Sequence, residues 1–192
     1  AGGEVVTLNA ERSEASQCFI IVNGQRSMFN SQPELFEERI WQELGKITDP
    51  EIPVLSLVEM KVIRSVTVSD DAVKVVMSPT FVGCPAMEYM KNEIRTRLAE
   101  LGCERVTIET TFSPPWSTDM LDDDVKEKLR AFGVAPPPKN DKELIAVLSL
   151  PVACPFCTST NTHLDSPFGA TLCKQIFYCD ACRQSFERFK PI

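Results

Sequence analysis

Histidine occurs once in this chain of 192 residues, at position 163. That scarcity takes the commonest general base away from any nucleophilic cysteine, and it leaves His163 without a second imidazole at metal-ligand spacing. His163 is therefore expected at the surface. Basic residues are also few: 20 Lys and Arg stand against 27 Asp and Glu, for a net charge of -7 and a pI near 4.9. Phosphate attraction needs clustered cations, so neither nucleic acid nor an anionic membrane surface is an expected partner. No apolar run reaches the roughly eighteen residues that a membrane span needs. Ala1-Gly2-Gly3-Glu4 lacks the basic start and apolar stretch of a signal peptide. These absences lead us to expect a cytoplasmic protein whose partners are other proteins.

Cysteine, by contrast, is abundant, with eight residues. In a reducing compartment such a number points to metal rather than to disulfides. Four of the eight form the pairs Cys154-Pro155-Phe156-Cys157 and Cys179-Asp180-Ala181-Cys182, separated by 21 residues. Each pair sets two sulfurs on one tight turn, and two such turns complete a tetrahedron with Zn–S bonds of about 2.3 Å. Four protein ligands leave no open position, so a zinc ion here is expected to be structural. It would supply folding free energy to a segment with little core of its own. Cys173, next to Lys174, is a fifth thiol in this region. It reads either as a buried strand residue or, with the lysine favouring its thiolate, as a second reactive site.

The rest of the chain alternates helical and strand patterns. Residues 1 to 30 form an N-terminal extension in which Cys18 to Val22 is a candidate strand, followed by the turn signal Asn23-Gly24. Cys18 reads as filler. Ser31 and Glu34 make a capping box for a helix from about 33 to 46, with Phe36, Ile40, Leu44 and Ile47 on one face. Asp49-Pro50-Glu51-Ile52-Pro53 ends it; the two acids read as turn residues that satisfy local backbone donors, or alternatively as ligands or a base. Leu57 to Val68 reads as a long strand and Ala72 to Met77 as its return, joined by a turn at Ser69-Asp70-Asp71.

The chain then reaches Ser78-Pro79-Thr80-Phe81-Val82-Gly83-Cys84-Pro85, a strand-to-helix junction. Pro85 suits the first position of a helix from 85 to 101, which makes Cys84 the expected N-cap. Two readings of Cys84 stand side by side: a thiolate favoured by backbone donors and the helix dipole, against opposition from Glu88, or a small apolar residue packed beneath the turn. Arg105 to Phe112 alternates as a third strand. Trp116 follows in a proline-rich loop; its ring wants burial and its N–H a partner, and it could cover either the Cys84 site or a partner surface. Asp122 then caps a helix with Leu121, Val125, Leu129 and Phe132 inward and Gly133 as its stop. The boundary between domains is placed at Ala135, with a proline-rich linker over 136–150 in which Leu144 to Leu150 reads as a docked strand.

Taken together, Asp49-Pro50-Glu51-Ile52-Pro53, Thr80 to Pro85, Pro114 to Asp119 and Leu129 to Gly133 resemble the iron-sulfur carrier and assembly domain family. The ribbon from Cys154 to Lys190, with Phe168 to Lys174 inside it, is similar to the PaaD/PaaJ subfamily, which accompanies phenylacetyl-CoA epoxidase. The resemblance implies an α+β fold: a two-layer domain over 31–135 with a mixed sheet in α-β-β-α-β-α order, then a small β-rich zinc ribbon over 151–192. It implies an accessory protein of a multicomponent monooxygenase, not itself the catalyst, that matures the metallocentres of aerobic phenylacetate breakdown. Expected clients are epoxidase components, including an iron-sulfur reductase, and the protein could also be a homo-oligomer. Cys84 corresponds to the family's functional cysteine, with Thr80, Trp116, Asp49, Glu51 and Cys173 as further candidates. The cofactors implied are structural zinc at Cys154, Cys157, Cys179 and Cys182 and a transient iron-sulfur cluster or iron. The alternative is an adaptor component of the complex that acts through ribbon contacts alone. Lys61 stands where the family pattern leads us to expect glycine.

Overall fold

A computed structural model of the chain describes residues 19–22, 25–28, 33–69, 72–137 and 150–190. Ser31, Asp70, Asp71, Cys18 and the candidate strand over 144–149 lie outside the described residues. β1 (Phe19–Val22) pairs antiparallel with β2 (Gln25–Met28), and the Asn23-Gly24 turn signal lies outside the described residues.

The α-β-β-α-β-α order expected from the sequence is present. It comprises α1 (Pro33–Leu44), β3 (Ile63–Ser69), β4 (Ala72–Met77), α2 (Met87–Glu100), β5 (Val106–Thr110) and α3 (Asp123–Ala131). β3 and β4 run antiparallel while β4 and β5 run parallel, so the three-stranded sheet β3-β4-β5 is mixed. Antiparallel neighbours can be joined by a tight turn, but the parallel pair needs a crossover, and α2 provides it. α1 packs on β3 and on α2, which also meets β5. Phe36, Ile40, Leu44 and Ile47 are buried as their helical spacing requires, as are Met90, Ile94 and Leu98 of α2 and Val73, Val75 and Met77 of β4.

Three expectations are corrected. The strand expected from Leu57 begins only at Ile63, because Met60 N–H donates to the Ser56 carbonyl and Lys61 N–H to that of Val58, which closes turns where a strand would extend. A bulge between Ile63 and Ser65 then shifts the parity, so Ile63 and Val66 are both buried although three residues apart. The second helix starts at Met87 with Ala86 at its N-cap, two residues later than Pro85 suggests. Phe112 and Phe132 lie beyond β5 and α3 and stay about half exposed, at 54% and 44%, rather than joining the inner faces.

The ribbon is a four-stranded sheet of order β6-β9-β8-β7, from β6 (Val134–Ala135), β7 (Thr162–Ser166), β8 (Lys174–Cys179) and β9 (Gln184–Phe189). β6 precedes the prolines yet pairs in parallel with β9. Phe189 at the end of β9 is fully buried in the core of the first domain, its ring 5.8 Å from that of Trp116. Trp116 in turn donates its indole N–H to the Met60 carbonyl at 2.7 Å. The ring is buried and its N–H is satisfied, so Trp116 joins the two domains from within and presents no free aromatic surface.

Candidate functional site

Two groups of thiols lie within or against the apolar cores. In the ribbon, the sulfurs of Cys154, Cys157, Cys179 and Cys182 all lie within 4.8 Å of one another, with Cys154–Cys182 at 3.7 Å and Cys157–Cys179 at 3.6 Å. A disulfide would need about 2.05 Å. A tetrahedron with 2.3 Å metal–sulfur bonds has edges of about 3.8 Å, so the spacing fits four thiolates around one ion. Backbone N–H groups of Cys182 and Ala181 hold the Cys179 thiol below its ordinary range, so it ionises first. Burial and crowding by the other sulfurs raise Cys182, a repulsion that a dication reverses. His163 takes no part: it is exposed, with Nδ1 3.0 Å from Asp180 Oδ2.

The second group lies where the ribbon meets the first domain. Asp49, Glu51, Thr80 and Cys84 of the first domain and Cys173 of the ribbon line one small cleft, floored by Ile52 and Met60. Its interior has room for about one or two water molecules. The loop before β3 builds the acidic wall. Asp49 accepts from the N–H groups of Glu51 and Ile52 at 2.8 and 2.9 Å, the turn role its position between helix and prolines favours. Burial nevertheless raises its pKa, and the neighbouring Glu51 adds to the rise.

Gly83, at φ +82°, turns the chain so that Cys84 enters the cleft. The N–H groups of Ala86 and Met87 favour its thiolate, but Met87 N–H donates to the Cys84 carbonyl at 3.3 Å and the helix N-cap is Ala86, not Cys84 as expected from sequence. Those donors do not prevail. Burial raises the Cys84 thiol above its ordinary value, and Glu51 and Asp49 raise it further, so of the two readings the thiolate is disfavoured without a cation. The opposing acids are these two, since Glu88 points to Lys91 at 3.0 Å.

Cys173 sits just before β8 with its sulfur 3.6 Å from Glu51 Oε2 and 3.2 Å from Thr171 Oγ1. Burial, with Glu51 and Asp49 beside it, pushes its pKa up to about 11. Lys174 does not favour the thiolate as its position in sequence suggested, because its ammonium turns away to Glu187 at 2.7 Å. Trp116 lies outside the lining and touches the cleft only through Met60.

Sequence reasoning had Cys173 and Glu51 as separate candidates and missed that they meet across 122 residues. No local pattern carries that contact. It also missed the apolar rim: Phe81, Val82 and Leu172 are exposed at the mouth of the cleft and beside it, at 36%, 74% and 46%. Three branched or aromatic residues on turns around Gly83 and Cys173 were the available signal. Lys61 adopts φ +56°, the left-handed conformation that explains why glycine is expected there, and its ammonium reaches Asp122 at 2.8 Å.

With the geometry of both thiol groups described, comparison with known proteins places the chain. Residues 37–109 match the family model described as iron-sulfur cluster assembly protein, and residues 139–190 match that of the PaaD zinc beta ribbon domain. A putative component of the 1,2-phenylacetyl-CoA epoxidase of Escherichia coli K12 is 38% identical over 88% of this chain and 99% of its own length. The chain belongs to the PaaD family of epoxidase subunits. Its first domain alone is also similar to Fe-S protein maturation auxiliary factors. One from Porphyromonas gingivalis is 34% identical over 48% of this chain and 90% of that protein, and one from Bacillus subtilis is 28% identical over 46% and 87%. Among the described residues, no helix is long and apolar enough to cross a membrane.

Proposed function

We propose that this PaaD family member is a maturation factor. It handles iron or an iron-sulfur cluster for the phenylacetyl-CoA epoxidase system of aerobic phenylacetate degradation, with Cys84 as its functional thiol. The observation that carries the reading is the placement of Cys84 in a cleft with a second thiol and two carboxylates, beside an apolar rim suited to a protein client. Soft thiolate donors select iron and similar ions over magnesium or calcium. The maturation factors similar to the first domain support the same activity, and the epoxidase relative supports the client class, epoxidase components including an iron-sulfur reductase.

The ribbon residues Cys154, Cys157, Cys179 and Cys182 hold zinc in a structural role: four protein ligands leave no position for substrate. Zinc bound there supplies folding free energy to the ribbon. The chain's own residues do the remaining work. Asp49 and Glu51 concentrate negative charge at the cleft, and the helix-start N–H groups of Ala86 and Met87 favour the Cys84 thiolate. Each thiol gives up its proton to solvent as its sulfur binds cargo.

A catalytic role for Cys84 is opposed by Asp49 and Glu51, which raise the thiol, and His163 lies away on the ribbon against Asp180. A second reading, an adaptor acting through the ribbon alone, draws on Phe156 and Phe168, exposed at 54% and 71%. Iron, sulfide and zinc content per chain, on protein reconstituted anaerobically and on Cys84→Ser, separates the two. The maturation reading expects iron that falls away in the variant while zinc is unchanged. Zinc without iron in either protein would leave the adaptor reading.

A further inference from the structure

We infer that the cleft between the two domains is a mononuclear site for a borderline divalent transition-metal ion, ligated by Cys84, Cys173 and Glu51, with the ribbon supplying one of the two thiols. This inference rests on the maturation reading, under which the ion is ferrous iron, and it deepens that reading by naming the cargo and a ligand from the second domain.

The donor set points to a cation. Two sulfurs and two carboxylates line the same cleft, and no lysine or arginine is among its lining residues. The cation adjacent in sequence, Lys174, pairs with Glu187. Lys174 favours the Asp49 carboxylate but is shared with Glu187 and is outnumbered by four groups that are negative or become so when they bind metal, an excess that is costly unless a cation joins them. Asp49 already spends one oxygen on the Glu51 and Ile52 N–H groups, so it shapes the loop and adds charge, while Glu51 is the carboxylate that reaches Cys173.

Docking between the domains holds Cys173 beside Glu51, and binding requires the Cys84 sulfur to turn toward that pair, since among the described residues the ribbon cysteines alone already stand at metal-ligand spacing. The Cys173 carbonyl accepts from Lys190 N–H at 2.9 Å, and the neighbouring Phe189 is anchored beneath Trp116. Cys173 is thus held at the cleft by the ribbon's own docking and lies six positions before Cys179 on the same strand segment. Size limits the occupant. An interior with room for about one or two waters admits a single ion and excludes a multi-iron cluster. Two thiolates and a carboxylate leave a coordination position open, through which a client cysteine at the Phe81–Leu172 rim could take the ion by ligand exchange.

The test uses the full chain with zinc retained in the ribbon, titrated anaerobically with ferrous iron and, as an optical probe, with cobalt(II). The chain is expected to take up one further ion per chain, with cobalt giving a thiolate-to-metal absorption band. Cys84→Ser and Cys173→Ser should each weaken that binding about ten-fold or more, with ribbon zinc unchanged. Glu51→Gln removes a ligand without touching a thiol, so it keeps the test sharp should a cysteine variant fail to fold; it too should weaken binding. No further ion in the wild-type chain would overturn the site, as would equal binding by Cys173→Ser or Glu51→Gln. A wild-type chain that takes up no further ion yet still raises the iron-sulfur content of a client overturns this site and leaves the maturation reading. Full client maturation by Cys84→Ser overturns that reading itself.

Discussion

The first domain and the ribbon are held together by different means. The first is centred on a large apolar cluster running from Phe36 through Leu129, whereas the second core of the ribbon is Ala135, Cys154, Phe177, Cys179 and Phe186. Two of those five are metal-site cysteines. A domain with that little apolar burial depends on its ion, and a domain with a full core does not. The same contrast governs the thiols: the ribbon sulfurs stand within 4.8 Å of one another, as four ligands of one ion would, while Cys84 and Cys173 are raised by burial and acids.

The largest effect should come from removing the ribbon metal. The apparent binding free energy of a structural zinc, about 10 kcal/mol or more, is comparable with the whole stability of a domain. Chelation, or Cys154→Ser, is expected to abolish hydrogen-exchange protection over β8 and β9 while β4 and α2 keep theirs. Equal loss in both regions would break the comparison.

Trp116 tests the joint between the regions. Trp116→Ala removes a buried ring that packs on Phe189 and leaves the Met60 carbonyl without its donor, for an expected cost of about 3–5 kcal/mol in chemical denaturation. Trp116→Phe keeps most of the packing and should lose about 1–3 kcal/mol through the orphaned carbonyl.

Thiol reactivity separates the two sites more finely. With the ribbon metal in place, Cys154, Cys157, Cys179 and Cys182 should resist iodoacetamide near pH 7.5, about one unit under the free thiol pKa, and react once the metal is chelated. Cys173, pushed up to about 11, should be among the slowest, gaining rate as pH rises toward that value. Glu51→Gln removes a negative neighbour, lowers the Cys173 pKa and should speed its alkylation. Mass spectrometry of the modified peptides gives the order.

The smallest effect belongs to the surface pair Lys128–Glu59. Although burial alone would raise Glu59, Lys128 and the Ser56 donors hold it below the ordinary carboxylate value. Its contribution is therefore present above the unfolded pKa and lost as pH falls through the folded one. Lys128 is raised by the same contact, so its share persists below its ordinary value and fades as pH rises through the folded one. The difference in Tm between wild type and Lys128→Ala should be slight at pH 7 and vanish by about pH 3.

Much of this architecture was legible because it is local. Helical spacing gave the faces of α1 and α2, alternation gave β4, and the paired C-x-x-C turns gave the ribbon site. The legibility failed where tertiary contacts decide. Turns at Ser56 to Lys61 and the bulge after Ile63 shortened a strand that composition extends. The choice between the two readings of Cys84 was not legible because the acids that raise it come from a loop more than thirty residues earlier, while the adjacent Glu88 is paired elsewhere. Lys174 shows the same: its neighbour in sequence is Cys173, but its partner in space is Glu187.

The maturation claim is tested most directly in cells that make the epoxidase components with this chain, with Cys84→Ser, or with neither. The quantity to measure is the iron and sulfide content of the purified iron-sulfur reductase component. A filled centre is predicted with the wild-type chain and a depleted one in the other two cases. A reductase equally filled with Cys84→Ser would contradict the claim.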